Sequence, residues 1–167
     1  SKECLNDKNL SIEIINKWIK SNSPYKGNGW EPYTISIRLV NWIKFFLIIG
    51  EKPSDLIITS LNKQFSFLSK NLEFHILGNH LFANIKAMIF FIFYFDTSNL
   101  KKKNKKIFLL LNSQIKTQIL NDGYHYELSP FYHSIIIEDL LDIVNLGKIY
   151  KYDFKIDKRL ILKMINA

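Results

Sequence analysis

Two short stretches of the sequence place amide, imidazole and phenol groups just ahead of long apolar runs. "GNH" ends in Asn79 and His80, and "SPFYH" ends in Tyr132 and His133. An amide donates hydrogen bonds, whereas imidazole and phenol groups take up and release protons. The residue types therefore permit acid–base chemistry, although each stretch taken alone is also ordinary helix initiation.

Other kinds of site have less support in the sequence. No two histidines have the three- or four-residue helical spacing of a zinc site, and the single cysteine, Cys4, is remote, so we predict no metal and no cofactor. A serine hydrolase would need a G-x-S-x-G elbow, which does not occur. Glu31 and Glu127 are a weak basis for glycoside hydrolysis, which needs two carboxylates in one cleft.

The charge balance favours an anionic partner. The chain has 167 residues, 23 basic and 15 acidic side chains, and a net charge of +8. Nucleic acid, an anionic membrane surface and an acidic polysaccharide all suit this charge. Part of the excess lies in "KKKNKK" at residues 101–106, a pattern typical of a solvated tip. Most aromatic residues stand at core spacing, as in "MIFFIFYF", so we predict no nucleic-acid binding.

The apolar segments predict buried helices and no membrane insertion. "IKFFLIIG" and "AMIFFIFYF" are both shorter than the roughly 18–20 apolar residues that a bilayer span requires. A single cysteine makes no internal disulfide, so the redox compartment stays open. The chain lacks an initiator methionine and a signal peptide, which indicates a mature form or a piece of a longer protein.

The apolar residues recur with a helical period almost throughout, which predicts an all-α single domain over residues 1–167. We expect antiparallel helical hairpins joined by short links. Gly50 is expected to end the second helix and Gly147 the sixth. Asn79 is a good N-cap, and Ser129 with Pro130 suits a helix start. The predicted helices are approximately Leu5–Ser21, Thr34–Ile49, Ser54–Lys70, Asn79–Phe95, Lys103–Leu120, Ser129–Gly147 and Asp157–Ile165.

This topology has a geometric consequence for the polar stretches. If consecutive helices are antiparallel, the second, fourth and sixth helices all start at the same rim. Those starts contain "GNGWEPYTISIRLVNW", "HILGNHLFANIKA" and "ELSPFYH". Three helix N-termini on one rim would present partial positive charge and free backbone N–H groups to an anion.

Three blocks in fixed order resemble the heparinase II/III-like family of polysaccharide lyases. They are "WEPYTISIRLVNWIKF", "GNHLFANIKAMIFFIFYF" and "LNDGYHYELSPFYHSIIIEDLLDIVNL", and they extend from about Trp30 to Leu146. The resemblance implies part of an incomplete (α/α) toroid, with the C-terminal β-sandwich domain of the family missing from these residues. It also implies an acidic polysaccharide substrate, cleaved by β-elimination at uronic acid residues, and periplasmic localisation by family analogy.

The resemblance assigns roles to the polar stretches. Asn79, helped by His80, corresponds to the group that hydrogen-bonds the uronate carboxylate. Tyr132 corresponds to the general acid, which is also the base in syn-elimination, and His80 is the base where the C5 proton lies on the opposite face. The residues expected to contact substrate are Trp30, Tyr33, Arg38, Asn41, Trp42 and Glu127, and His133 is expected to orient Tyr132 or to contact substrate.

The resemblance also implies that the site is incomplete, because a further catalytic histidine of the family lies downstream of the region covered. We therefore expect half a lyase site with little activity by itself. One alternative is a non-catalytic carbohydrate-binding or scaffold relic of the same fold. A basic helical nucleic-acid binder is the second alternative.

Overall fold

The computed structural model describes residues 2–95 and 105–167, with side chains from residue 7 onward. Its described part contains seven α-helices, and the one β pairing there is an isolated bridge between Ile119 and His125. The all-α prediction is confirmed. The helices are α1 Lys2–Ser21, α2 Pro32–Ile49, α3 Asp55–Leu68, α4 Gly78–Tyr94, α5 Lys105–Gln118, α6 Pro130–Ile149 and α7 Lys158–Ile165, with a short 3-10 turn at Asn28–Trp30.

The predicted helix ends agree with these bounds within a few residues. The predicted start of the fifth helix at Lys103 lies outside the described residues. Asp157 caps α7, because its carboxylate accepts a hydrogen bond from the Arg159 backbone N–H at 2.9 Å. Gly50 ends α2 in the left-handed conformation, with φ of 68°, as glycine does at this position.

Helix α4 forms the centre of the molecule. Its sequence is apolar on every face, and a helix of that kind is stable only when it is surrounded by others. Leu81, Phe82, Ile85 and Ile89 are fully buried. Helices α2 and α6 pack on α4 from two sides, and α3 and α5 also contact it. The position of the candidate site residues at the start of α4 is therefore fixed by the core.

Helix α2 is long and apolar enough to cross a membrane, judged by length and composition alone. Core helices of soluble proteins pass the same test. In this structure α2 packs against α3 and α4, and its residues Ile35, Leu39 and Ile43 are fully buried.

Gly147 does not end α6, contrary to the sequence prediction. The helix continues to Ile149, and Gly147 lies inside it. A Cβ atom at this position would stand 2.5 Å from the Tyr152 carbonyl oxygen and 3.1 Å from the Phe154 ring. The glycine is needed because the chain that follows α6 turns back directly against it, a close approach that the local sequence does not reveal.

Candidate active site

The starts of α2, α4 and α6 meet around the Tyr33 side chain. The Tyr33 ring stacks on the His80 ring, with centroids 4.3 Å apart and planes 27° apart. The Asn79 side chain is a hydrogen-bond partner of the Tyr33 hydroxyl, and the Tyr132 hydroxyl is close enough to interact with it electrostatically. The structure thus brings Asn79, His80 and Tyr132 together, with Tyr33 between them.

The electrostatics of this group keep Tyr33 protonated. Burial raises the pKa of the Tyr33 hydroxyl, and the nearby charge of Asp139 raises it further. The hydrogen bond with Asn79 acts in the opposite direction, and Glu73 and Tyr132 add smaller upward shifts. Tyr33 is therefore a neutral hydroxyl that donates or accepts a hydrogen bond at ordinary pH.

The backbone at the start of α4 adopts an uncommon conformation. Leu77 stands at the N-cap with φ of 63° and ψ of −146°, and Gly78 follows with φ of 51°. The conformation of Leu77 is one that non-glycine residues rarely adopt, so strain is held at this point. The predicted N-cap role of Asn79 is wrong, because α4 begins one residue earlier and Asn79 lies in the first turn.

The loop at residues 121–128 passes directly against Gly78. A Cβ atom on Gly78 would stand 2.6 Å from Glu127 Oε1 and 3.3 Å from the Tyr126 hydroxyl. Both atoms are side-chain ends, so a Cβ here would displace the Glu127 carboxylate, and the φ of 51° at Gly78 is itself a conformation that favours glycine. Glu127, which is exposed, is thereby placed next to Asn79 at the edge of the site.

A series of hydrogen-bonded, buried polar side chains holds His80 in place. His80 Nδ1 lies 3.1 Å from Glu73 Oε1, and Glu73 is 5% exposed. Glu73 Oε2 accepts a hydrogen bond from Asn84 Nδ2 at 2.8 Å, and the same amide donates to Ser36 Oγ at 3.0 Å. Sequence reasoning missed Glu73 and Asn84. The available signal was Asn84 itself, since a polar residue inside a wholly apolar helix needs a buried partner.

His133 is used within the protein. Its Nδ1 accepts a hydrogen bond from the His125 backbone N–H at 3.2 Å, so its Nε2 carries the proton and donates to the Met164 carbonyl oxygen at 2.8 Å. Both ring nitrogens are thus hydrogen-bonded to backbone groups. This geometry favours a structural role for His133 in place of the expected substrate contact.

His125 anchors the same loop from inside. It is fully buried, and its Nε2 lies 3.1 Å from Gln118 Oε1. Gln118 Nε2 in turn donates to the Gly78 carbonyl oxygen at 3.0 Å. Burial lowers the pKa of His125, because the charged imidazolium loses its hydration there. His75, the remaining histidine, is exposed.

Trp30, Trp42 and Arg38 lie away from the site, although they were expected to line the cleft. Trp30 is 4% and Trp42 9% exposed. The Arg38 guanidinium lies 3.7 Å from the Trp18 ring centroid, and its Nε donates to Gln64 Oε1 at 2.8 Å. Burial lowers the pKa of Arg38 to about 10. These side chains join α1, α2 and α3 in the core. We call this group, Trp18, Trp30, Trp42 and Arg38, the tryptophan cluster.

A groove between α2 and α6 extends from Tyr33 along the surface of α4. Its volume is about 210 Å³, and its lining includes Tyr33, Asn41 and Asp139. Lys86 on its floor donates to Asp139 Oδ1 at 2.7 Å and also pairs with Asp142. Of the residues expected to contact substrate, Tyr33 and Asn41 line this groove, and the Glu127 carboxylate lies beside Gly78 at the start of α4. We call the groove, together with Asn79, His80, Tyr132 and Glu127, the cleft.

Within residues 2–95 and 105–167, no three or more histidine, cysteine, aspartate or glutamate side chains are grouped so that they could hold a metal ion.

Comparison with known proteins identifies the fold and the family. The profile of the family described as "Heparinase II/III N-terminus" matches residues 9–166. A Bacteroides stercoris protein named "Heparin-sulfate lyase" is 26% identical over 131 residues, which are 74% of this chain and 19% of that protein.

Two solved structures share the fold. The heparan sulfate lyase of Pedobacter heparinus superposes with a TM-score of 0.68 at 20% identity, over 96% of this chain and 27% of that chain. A heparinase III structure gives a TM-score of 0.68 at 20% identity, over 93% of this chain and 29% of that one.

The chain therefore spans less than a third of each of these proteins. The predicted fold class is confirmed, since these seven helices reproduce part of a heparinase III structure. From the match over residues 9–166, the chain belongs to the heparinase II/III N-terminal domain family.

Proposed function

We propose that the cleft is the uronate-binding and proton-transfer part of a polysaccharide lyase, which cleaves an acidic polysaccharide by β-elimination. The observation that carries this proposal is the meeting of Asn79, His80 and Tyr132 around Tyr33 at three helix starts. The names of the similar proteins, a heparin-sulfate lyase and a heparan sulfate lyase, support it. The net charge of +8 suits a polyanionic substrate.

The first requirement of the reaction is to neutralise a carboxylate. The C5 proton of a uronic acid stands next to a carboxylate, whose negative charge opposes removal of that proton. Asn79 has two amide N–H groups, so it can serve Tyr33 and still donate to this carboxylate. Fixed donors of this kind stabilise the enolate-like charge that develops in the transition state.

The second requirement is proton transfer. A base removes the C5 proton, the C4–C5 double bond forms, the C4–O4 bond breaks, and an acid protonates O4. Tyr132 is half-buried at the start of α6 and is the acid; in a syn-elimination it first removes the C5 proton as well. His80 is the base where that proton lies on the opposite face of the sugar.

Other residues of the cleft contact the sugar chain. Tyr33, held neutral by burial, donates its hydroxyl proton to substrate oxygen atoms. Asn41 supplies amide groups along the groove, and the exposed Glu127 carboxylate accepts from sugar hydroxyls. We further propose that this single helical domain is completed, in a longer protein, by a β-sandwich and a second histidine.

The proposal is tested with uronic acid polymers. Heparan sulfate, alginate and hyaluronan are incubated with the chain and with any longer form that its gene encodes, and 4,5-unsaturated uronide is measured by ultraviolet absorbance. Tyr132→Phe should abolish turnover and keep polysaccharide affinity. Tyr25→Phe is the matched control, because Tyr25 is exposed and contacts Trp30 instead of the cleft.

Two outcomes would contradict the lyase proposal, and a third would contradict only the role of Tyr132. Binding without turnover in every form would indicate a carbohydrate-binding relic of the fold. Equal turnover in Tyr132→Phe and the parent would exclude Tyr132 as the acid. Tight, steeply salt-dependent binding to DNA or RNA, with none to uronic acid polymers, would indicate a nucleic-acid binder.

A further inference from the structure

The His80 ring is held from two directions. Its face stacks on Tyr33 at 4.3 Å, and its Nδ1 lies 3.1 Å from Glu73 Oε1. Within the described residues, Nε2 has no protein partner, and the His80 side chain is 33% exposed. The two ring nitrogens therefore have different surroundings, one inside the protein and one open to the cleft.

Glu73 is held in place by Asn84, independently of its contact with His80. Its backbone N–H donates to Asn84 Oδ1 at 2.8 Å, and its Oε2 accepts from Asn84 Nδ2 at 2.8 Å. Asn84 is fully buried on α4, one turn after His80. The carboxylate of Glu73 thus has one oxygen committed to Asn84, and the other is directed at the imidazole.

A carboxylate accepts hydrogen bonds and does not donate them, so a neutral His80 must carry its proton on Nδ1 to bond Glu73. The hydrogen bond of one ring nitrogen determines the state of the other. We propose that Glu73 is a positioning residue that holds His80 in the Nδ1–H tautomer and leaves the Nε2 lone pair facing the cleft.

This arrangement has a consequence for proton transfer, which rests on the proposed lyase function. A base must present a lone pair to the C5 proton, and the Nδ1–H tautomer presents one at Nε2. After Nε2 takes the proton, the positive ring remains hydrogen-bonded to the Glu73 carboxylate. Glu73 thereby orients the base and partners its charged form, without touching the substrate.

The tautomer is measured directly by NMR. The chain is labelled with ¹⁵N-histidine, and long-range ¹H–¹⁵N correlations are recorded about two pH units above the reference histidine pKa of ~6.5. A His80→Gln variant assigns the His80 signals. We expect an excess of about ten-fold or more of the Nδ1–H form, since a hydrogen bond to a charged acceptor is a strong one. Observation of His80 as Nε2–H would overturn the proposal.

Glu73→Gln makes the sharper test. The carbonyl of the new amide must stay opposite Asn84 Nδ2, so its NH2 group faces His80 and turns Nδ1 into an acceptor. We therefore expect this isosteric change to invert the tautomer to Nε2–H. Glu51→Gln is the control, because it makes the same chemical change at an exposed glutamate paired with Lys8. A folded Glu73→Gln protein that keeps the Nδ1–H form contradicts the proposal; if it does not fold, the parent spectrum decides.

Activity gives an independent readout. In any form of the protein with lyase turnover, Glu73→Gln should lower kcat by about 10- to 100-fold and leave polysaccharide affinity unchanged, as loss of an orienting partner does. Unchanged kcat with an inverted tautomer would overturn the catalytic part of the inference. Absence of turnover in every form of the protein, including any longer form that the gene encodes, would instead contradict the lyase function, and the NMR result would stand by itself.

Discussion

The cleft and the tryptophan cluster lie on different sides of the same helix, and each combines aromatic side chains with polar or charged ones. Tyr33 and Asn41 of α2 line the groove. Arg38 and Trp42 of α2 pack in the core against Trp18. A step of five residues along a helix, as from Tyr33 to Arg38, turns the side chain by about 140°. Residue type therefore predicts a site less well than helical phase does.

Burial separates the two regions further. In the cleft, His80 and Tyr132 keep exposed surface, and His80 Nε2 has no protein partner within the described residues. In the tryptophan cluster, Arg38 is covered by rings and bonded to Gln64. An arginine near tryptophans in the sequence resembles a sugar-binding surface, but here these side chains pack together in the core. Substitutions should separate the two regions by their effects on turnover and on stability.

The largest expected effect is on turnover in the cleft. Asn79→Ala should lower kcat by about 10²- to 10³-fold, because it removes a donor to the developing charge. The free energy of unfolding should change little, since Asn79 does not cap α4. Steady-state kinetics and chemical denaturation measure the two quantities. A turnover loss explained fully by unfolding would remove the distinction between the regions.

The converse effect is expected in the tryptophan cluster. Trp42→Ala should lower the free energy of unfolding by about 3–5 kcal/mol, as truncation of a buried aromatic residue does. Urea denaturation measures it, with Leu109→Ala as control because Leu109 is 70% exposed on α5. Turnover per folded molecule should not change. Equal destabilisation by both substitutions would contradict the burial of Trp42.

A smaller effect, on pH dependence, is expected at the edge of the cleft. The pKa of His125 is lowered by burial in the folded chain. The unfolded chain therefore binds more protons than the folded chain as the pH falls through ~6.5. Stability should therefore decrease as the pH falls through this window. His125→Gln should flatten that decrease, and His75→Gln, at an exposed position, should not. Denaturation at a series of pH values checks this, and parallel curves for all three proteins would refute it.

The smallest effect concerns strain at the start of α4. Leu77→Gly should raise the free energy of unfolding by about 1 kcal/mol, because relief of about 1–3 kcal/mol of strain exceeds the entropic loss at glycine. The same substitution at Leu109, an exposed residue within α5, should lower stability by about 1 kcal/mol. Thermal and urea denaturation compare the two. A decrease at both positions would show that Leu77 is not strained.

The sequence predicts the helices well because their apolar period and their capping residues are local signals. Gly50 illustrates this, since its place after an apolar run was sufficient to predict that it ends α2. Gly147 was misread because its neighbour is a segment of chain that returns from residues 152–154. Its role depends on a tertiary contact, which leaves no local pattern.

In the candidate site, too, residues with local signals were predicted and residues that depend on tertiary contacts were not. The proximity of Asn79, His80 and Tyr132 could be predicted because they follow recognisable motifs at helix starts and the topology places those starts at one rim, whereas their catalytic roles stay a prediction. Glu73 was missed because it lies in a loop, and its position beside His80 depends on a hydrogen bond to Asn84 eleven residues later. The hydrogen bond of His133 to Met164 was not predicted, because the two residues are 31 positions apart in sequence. Hydrogen bonds between distant segments therefore set the limit of prediction.

The contact between α6 and α7 links a remote segment to the candidate site. The Met164 carbonyl oxygen accepts a hydrogen bond from His133 Nε2, and a Cβ atom on Gly123 would stand 2.9 Å from the Lys163 carbonyl oxygen. An extra residue inserted within α7, ahead of Lys163, would rotate the residues that follow it by about 100° and carry both carbonyls away. The loop that ends at Glu127 would lose its brace, so the helical phase of α7 determines how firmly the edge of the cleft is held.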